Sequence, residues 1–351
     1  MEETGAEKAD ESMFYGAIDL HSNNSVLGII NAGGQRLCKQ KLPNDLEMIK
    51  AALVPFAAEL QGIVVESTYN WYWLVDGLQE AGYQVHLANT TAAQQYSGLK
   101  HTDDETDALW LADLLRLGLL KEGYVYPRQT RAVRDLFRKR TNLVQQRTRN
   151  ILSIQNLTSR NRGVRLSGDQ VKGLTPEAVE KTYQNEEDLA LAVSSSLRIV
   201  EALDREIKII EKRVKGKINL SQPYQLLQTD SGIGAILAMT IMLEAGDIHR
   251  FPTVGDFSSY CRCVNSVRLS NQKKKGSGNT KNGNAYLSWA FVEAANFAIR
   301  YDPTIRRFYQ RKTVRSNIAA ARKAVAHKLA RASYYVVRDQ VPFDVTKCFG
   351  D

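Results

Sequence analysis

The sequence predicts an α/β domain over its first third, followed by a mainly α-helical remainder. Two patterns of residues carry this reading. Short runs rich in β-branched and aromatic residues, separated by polar turns, occupy the first 90 positions, whereas long stretches with apolar residues three and four apart begin at Arg128. Charge divides the chain at the same place. Residues 1–125 hold eight Lys and Arg against eighteen Asp and Glu, a balance of −10, so the remainder must carry +19 to give the formal net charge of +9. An acidic part suited to cations and a basic part suited to a polyanion are the simplest reading of that separation.

Phe14 to Leu20 (FYGAIDL) reads as a strand, His21 to Asn24 as a turn, and Val26 to Ile30 as a second strand. Asn31 to Gln35 (NAGGQ) is a hairpin turn into a third strand over Arg36 to Leu42, so three antiparallel strands are expected to open the domain. Pro43-Asn44-Asp45 ends that unit, and Met48, Leu53, Phe56, Ala57 and Leu60 fall at helical spacings, predicting a helix to about Leu60. Gly62 to Ser67 is then a buried strand, Trp71 to Ala81 a helix and Tyr83 to Asn89 a further strand. The expected order is βββαβαβ, then a helix from about Thr106.

The length of 351 residues fits two or three domains, and 43% hydrophobic residues suffice for packed cores, which excludes wholesale disorder. The longest apolar stretch, about Ala235 to Leu243, is far below the roughly 18–20 residues that span a bilayer, and the acidic start MEETGAEKADES shows no secretory h-region. A soluble, cytoplasmic protein without a membrane partner is the expectation, with residues 1–12 as a disordered acidic tail. Cys38, Cys261, Cys263 and Cys348 are too few and too scattered for a disulfide framework. Cys261 and Cys263 with His249 lack a zinc-type spacing and read as packing residues.

Two acids stand where apolar strands end, Asp19 in AIDLH and Glu66 in IVVES. A strand-terminal acid is commonly a cap or turn residue, yet a carboxylate at the end of a central strand is costly to bury without a cation or hydrogen-bond partner. A third element adds to them. In KHTDDETDALWLADLLRLG, Asp107 lies four residues after Asp103 and three after Asp104, so Asp107 and one of those two share a helical face. Four converging carboxylates suit Mg²⁺ or Mn²⁺, the hard cations used in phosphoryl transfer. The plainer reading of Asp103 to Glu105 is a solvated acidic run at a helix N-terminus.

From Arg128 to Arg160 apolar positions (Val133, Phe137, Leu143, Ile151, Ile154) recur at helical spacing among arginines and lysines, with Asp135 the only acid. A helix with one apolar and one arginine-rich face suits phosphate contact, which makes Arg131, Arg134, Arg138, Lys139, Arg140, Arg147 and Arg149 candidate nucleic-acid-binding residues. After an expected loop over 161–173, Val200, Leu203, Ile207, Ile210 and Val214 form a short heptad seam, open either to coiled-coil association or to packing within the chain. Gly232-Ile233-Gly234 between apolar runs suits a helix-hairpin-helix turn, a pattern that also closes any tight interhelical connection. Ser266 to Ala295 then presents serines among Arg268, Lys273, Lys274, Lys275 and Lys281, the charge that a phosphoryl transition state needs, although a basic loop that merely touches DNA has the same composition.

Taken together, the strand order, Asp19, Glu66 and the DETDA segment resemble the RNase H-like domain of RuvC-type nucleases. They are most similar to the DEDD transposases of the "one-ten" bacterial insertion-sequence family, which includes the Piv-type invertases. The likeness runs from about Phe14 to Phe343, through GDIHRF at Gly246 to Phe251 and FSSY at Phe257 to Tyr260. It implies a RuvC-like catalytic domain over 13–127, a basic helical or coiled-coil region over 128–220 and a C-terminal transposase domain over 221–345. It further implies that Asp19, Glu66, Asp104 and Asp107 are the metal-binding catalytic acids, with Asp103 as the competing ligand. A nucleophilic serine is implied before Lys281-Asn282-Gly283-Asn284, with Ser270 the best match and Ser266 in reserve; Asn271-Gln272 replaces the family's glycine pair there.

The implied activity is a Mg²⁺- or Mn²⁺-dependent DNA transposase or recombinase working through a covalent phosphoserine–DNA link. Implied partners are DNA at element ends and target, a homo-oligomeric dimer or tetramer, and, in some relatives, an element-encoded guide RNA. The competing readings are a hydrolytic RuvC-like junction nuclease and a catalytically inactive nucleic-acid-binding scaffold.

Overall fold

The computed structural model describes residues 12–89, 92, 107–218, 221–264 and 282–350, and the backbone alone of 267–270 and 273–277. Two compact units divide the chain, Met1–Arg128 and Gln129–Asp351. The expected acidic tail, Asp103, Asp104, Ser266 and Lys281 lie outside the described residues.

The first unit is built on a mixed five-stranded sheet. Strands β1 (Phe14–Leu20), β2 (Asn24–Asn31) and β3 (Arg36–Pro43) are antiparallel, while β4 (Leu60–Glu66) and β5 (Val85–Ala88) add parallel strands, giving the order β3-β2-β1-β4-β5. The interior strands β1 and β4 are buried on both sides, as their near-continuous apolar runs require, whereas the edge strand β3 is largely exposed. Helices α1 (Leu46–Leu53) and α2 (Tyr72–Glu80) cover one face through Ile49, Leu53, Leu74 and Leu78, packed on Ile18, Leu20, Ile63 and Val65. Helix α3 (Asp107–Arg116) covers the other through Leu109, Leu111 and Ala112 on Ala17, Val64 and Ala88.

The helix expected to reach Leu60 ends at Leu53. A 3₁₀ turn containing Pro55 follows over Val54–Phe56, because proline has no N–H to continue the ladder, and β4 begins at Leu60. Asp45 caps α1 by accepting from Met48 N, and Ile49 rather than Met48 enters the core; Met48 is 49% exposed.

The second unit is mainly helical. Its long helices α4 (Arg128–Arg162) and α7 (Glu187–Ile218) run antiparallel; α5 (Gly168–Lys172) falls within the loop expected over 161–173, and α6 (Pro176–Thr182) follows it. The heptad seam of α7 is filled from within the chain. Val193, Leu197 and Val200 pack with Ile151 and Ile154 of α4, and Ile207, Ile210 and Val214 share a core with Phe137 and Leu143.

That core continues into the C-terminal helices α8 (Gln222–Leu227), α9 (Ala235–Ala245), α10 (Val254–Tyr260), α11 (Ala285–Tyr301), α12 (Pro303–Arg315), α13 (Ile318–Asp339) and α14 (Val345–Phe349). Between α10 and α11 the segment read as a loop contains a hairpin, β6 (Val267–Ser270) and β7 (Lys273–Ser277). Cys261 and Cys263 are core residues, and burial pushes the Cys263 thiol up to about 12 and Cys261 well above its ordinary value. Among the described residues no helix is long and apolar enough to cross a membrane.

In the Gly232-Ile233-Gly234 turn, Gly232 is pressed against α11, where an added Cβ would lie 2.4 Å from Ala294 O. Its missing side chain therefore serves helix packing; Gly234 is the exposed glycine, at the N-cap of α9. Gly232→Ala is expected to destabilise the helical unit by about 1–3 kcal/mol, read as a lower denaturation midpoint. Next to this turn, burial pushes the Asp230 carboxyl up to about 6, despite a bond from Gly232 N at 2.8 Å. Between about pH 4 and 6 the native state keeps a proton that the unfolded chain releases, so Asp230 lowers stability as pH rises. The neutral variant Asp230→Asn is expected to gain on the wild type by about 2–3 kcal/mol across that window, and chemical denaturation at successive pH values measures the difference.

Candidate active site

Asp19 is the penultimate residue of β1 and is 3% exposed. The parallel register pairs Ile18 with Val65, so Asp19 and Glu66, each one residue further on, stand level at the ends of adjacent strands. Side chains alternate along a strand, and Ala17 and Val64 belong to the core beneath α3, so Asp19 and Glu66 turn to that same face. Helix α3 runs back along it. Leu109 lies against Gly28, which pairs with Ala17, Leu115 lies near Gly62, and Arg116 Nη1 donates to Ala32 O at 3.0 Å beyond the start of β1. Asp107, the first residue of α3, is consequently at the end of the sheet where Asp19 and Glu66 are.

Three turns meet beside these acids. His21 Nε2 lies 3.4 Å from Asp19 Oδ2, and His21 O accepts from Asn44 Nδ2 at 3.0 Å and from Asn70 Nδ2 at 3.1 Å. Ser25 Oγ donates to Asn44 Oδ1 and Thr68 Oγ1 to Asn70 Oδ1, which orients both amides. The turn after β1 is thereby tied to the turn after β4. Asn44 and Asn70 were not singled out from the sequence, where polar residues in turns carry no sign of such a long-range role.

The donor set is of hard carboxylate oxygens from two strands and a helix N-terminus, the chemistry that fits Mg²⁺ or Mn²⁺. Among the described residues no group of three or more His, Cys, Asp or Glu side chains lies close enough to hold a metal ion. The expected fourth ligand, Asp104, and its competitor Asp103 are outside those residues.

The candidate arginines of α4 differ in exposure and in partners. Arg131 and Arg134 are each 4% exposed, and Arg134 Nε is 3.6 Å from Asp135 Oδ1. Arg138 donates through both Nε and Nη2 to Glu244 on α9, Arg140 Nε donates to Glu211 on α7 at 2.8 Å, and Arg147 pairs with Asp204 on α7. For Arg138, Arg140 and Arg147 the acids missing from α4 are supplied by the helices packed against it. Lys139 and Arg149 are the two candidates on α4 that remain exposed.

In the hairpin, Ser270 pairs with Lys273 across the two-residue connection Asn271-Gln272, so Ser270 is at the tip. A register shift between Arg268, paired with Gly276, and Leu269, paired with Lys274, leaves Lys275 as the extra residue of a bulge. The described backbone thus carries Ser270, Lys273, Lys274 and Lys275 on one short ribbon.

Comparison with known proteins points to transposases. A family model described as a transposase matches residues 17–159, and the model of the IS116/IS110/IS902 transposase family matches residues 224–310. A transposase for insertion sequence element IS1111A from Coxiella burnetii is 24% identical over 247 residues, 66% of this chain and 63% of that protein. An uncharacterised 43.6 kDa protein of insertion element IS110 from Streptomyces coelicolor is 23% identical over 127 residues, 36% of this chain and 31% of that protein. The chain thus spans less than two thirds of the length of either relative. Matched by transposase models across both of its compact units, the chain belongs to the IS110 family of transposases.

Proposed function

We propose that this chain is a metal-dependent, site-specific DNA transposase or recombinase, with an RNase H-like fold in its first unit. The observation that carries the reading is the level placement of Asp19 and Glu66 on adjacent parallel strands, with Asp107 opening the helix on the same face. Asp19, Glu66, Asp104 and Asp107 would hold Mg²⁺. The ion, when bound, supplies charge stabilisation at the scissile phosphate. Ser270 gives up its hydroxyl proton and attacks phosphorus; an Oγ–P bond forms, one sugar–phosphate P–O bond breaks, and the departing sugar oxygen takes up a proton. The phosphodiester energy is kept in the phosphoserine link, so a later sugar hydroxyl can rejoin the strand and release the serine. A homo-oligomeric assembly and an element-encoded guide RNA belong to the same proposal, and rest on the family resemblance.

With a DNA fragment carrying the element end and Mg²⁺, the wild type is expected to form a covalent protein–DNA adduct that is lost in Ser270→Ala. Asp19→Asn is expected to abolish the metal-dependent step while leaving DNA binding in place. Metal-dependent strand cutting that persists unchanged in Ser270→Ala would instead indicate hydrolysis by a junction-type nuclease, and binding with no cutting at all would indicate a scaffold.

The division of charge on α4 makes a separate prediction. The double variant Lys139→Glu, Arg149→Glu should weaken duplex binding and flatten its log–log salt dependence by about 2, at roughly 0.9 per phosphate contact, with little change in thermal stability. Arg147→Ala should behave in the opposite sense, costing about 1 kcal/mol of stability through loss of the partly buried pair with Asp204 and leaving the salt slope intact. Filter binding over a salt series, paired with thermal melts, distinguishes the two classes.

A further inference from the structure

Side chains from α4, α9 and the start of α11 meet where the Ser270 hairpin joins the helical body. Glu244, in the last turn of α9, is 3% exposed and both its oxygens are engaged. Arg138 Nε donates to Oε1 at 2.6 Å, Arg138 Nη2 donates to Oε2 at 2.6 Å, and Asn284 Nδ2 donates to Oε2 at 2.7 Å. Asn284 also caps α11, its Oδ1 accepting from Tyr286 N at 2.8 Å and Leu287 N at 3.1 Å. The Arg138 guanidinium lies over the Tyr286 ring, 4.7 Å from its centroid. Burial works against the Arg138 charge, and the Glu244 carboxylate more than offsets it, holding the group above its ordinary value.

The two feet of the hairpin are joined at the same place. Asn284 N donates to Tyr260 O at 2.6 Å, and Arg262 donates through Nε to Asn282 O at 3.0 Å and through Nη2 to Gly283 O at 2.9 Å. This closure needs glycine at 283: its φ is +85°, and an added Cβ would lie 2.5 Å from Tyr260 O. Strands β6 and β7, with Ser270, lie in the chain between these two feet.

A buried ion pair is a poor means of stabilising a core, since apolar residues of the same volume commonly do as well. Its distinctive contribution is direction, because a two-pronged guanidinium–carboxylate contact and an amide bond each fix an orientation. Lys139, exposed on the same turn of α4, immediately follows Arg138, so the base of the hairpin is tied to the helix that presents the free basic charge.

We infer that Glu244, through Arg138 and Asn284, is a positioning residue that sets the Ser270 hairpin against the basic face of α4. The inference rests on the reading of Ser270 as the nucleophile. Its test uses the full-length chain with Asn284→Ser and Asn284→Asp, both of which keep a capping oxygen for α11 while removing the amide nitrogen that donates to Glu244. Three quantities are compared with the wild type: tryptic cleavage at Lys273–Lys275 under native conditions, duplex affinity, and the single-turnover rate of adduct formation.

The expected result is cleavage of the hairpin faster by about tenfold and adduct formation slower by about tenfold to a hundredfold, with duplex affinity within about twofold. Arg138→Lys, which keeps the charge but not the fork, should fall between the wild type and these variants. Unchanged hairpin cleavage in Asn284→Asp, or a loss of adduct that merely follows a loss of duplex affinity or of thermal stability, would overturn the positioning role. Absence of any Ser270-dependent adduct in the wild type would overturn the functional reading instead, and the cleavage measurement would still decide whether the contact holds the hairpin.

Discussion

The close approach of α3 to the sheet is the constraint on which the first unit depends. Gly28 faces α3 without a side chain, and a Cβ there would come within 3.1 Å of Leu109 N and 3.0 Å of Leu109 Cδ2. Its partner on β1 is Ala17, so a glycine and an alanine lie side by side beneath the helix. Arg116 holds the far end by donating to Ala32 O and by pairing with Asp113 at 2.8 Å. A helix fixed both in height and along its axis delivers its N-terminal residue to one place. That place is the end of β1 and β4, where a central-strand carboxylate, Asp19, is buried with His21 Nε2 3.4 Å from its Oδ2.

In the second unit the organising interaction is the antiparallel pairing of α4 with α7. Arg140 meets Glu211 and Arg147 meets Asp204, so both helices repeat the contact after seven residues, in opposite directions. Apolar layers lie between: Phe137 and Leu143 with Ile207 and Ile210, then Ile151 and Ile154 with Val193 and Val200. The basic excess of this half of the chain is therefore smaller at the surface than its composition suggests. Internal acids neutralise much of α4, and the charge left to a polyanion is concentrated on fewer residues.

The sequence made the sheet of the first unit legible because its strands are short apolar runs between turn residues, and no distant contact was needed to recognise them. It made Asp19 and Glu66 legible for the same reason: an acid at the end of such a run is locally conspicuous. The one-residue displacement in the apolar face of α1, with Ile49 inside and Met48 outside, reflects a helix only eight residues long that Pro55 curtails. The ion pairs of Arg138, Arg140 and Arg147 were not legible because their partners lie on other helices; Arg138 and Glu244 are 106 residues apart. The hairpin at Val267–Ser277 was read as a loop because Lys, Gly and Ser are poor strand formers, and its pairing is visible only in register.

The central claim is that Asp19, Glu66 and Asp107 belong to one divalent-cation site. The most direct measurement is an anomalous difference map from crystals of the full chain soaked in Mn²⁺, which stands in for Mg²⁺ with the same preference for hard oxygen ligands. The account predicts a peak at the end of β1 and β4, about 2.1 Å from carboxylate oxygens of Asp19 and Asp107. A map in which Mn²⁺ is absent from that position in the wild type, or lies there equally in an Asp19→Asn crystal, would contradict it.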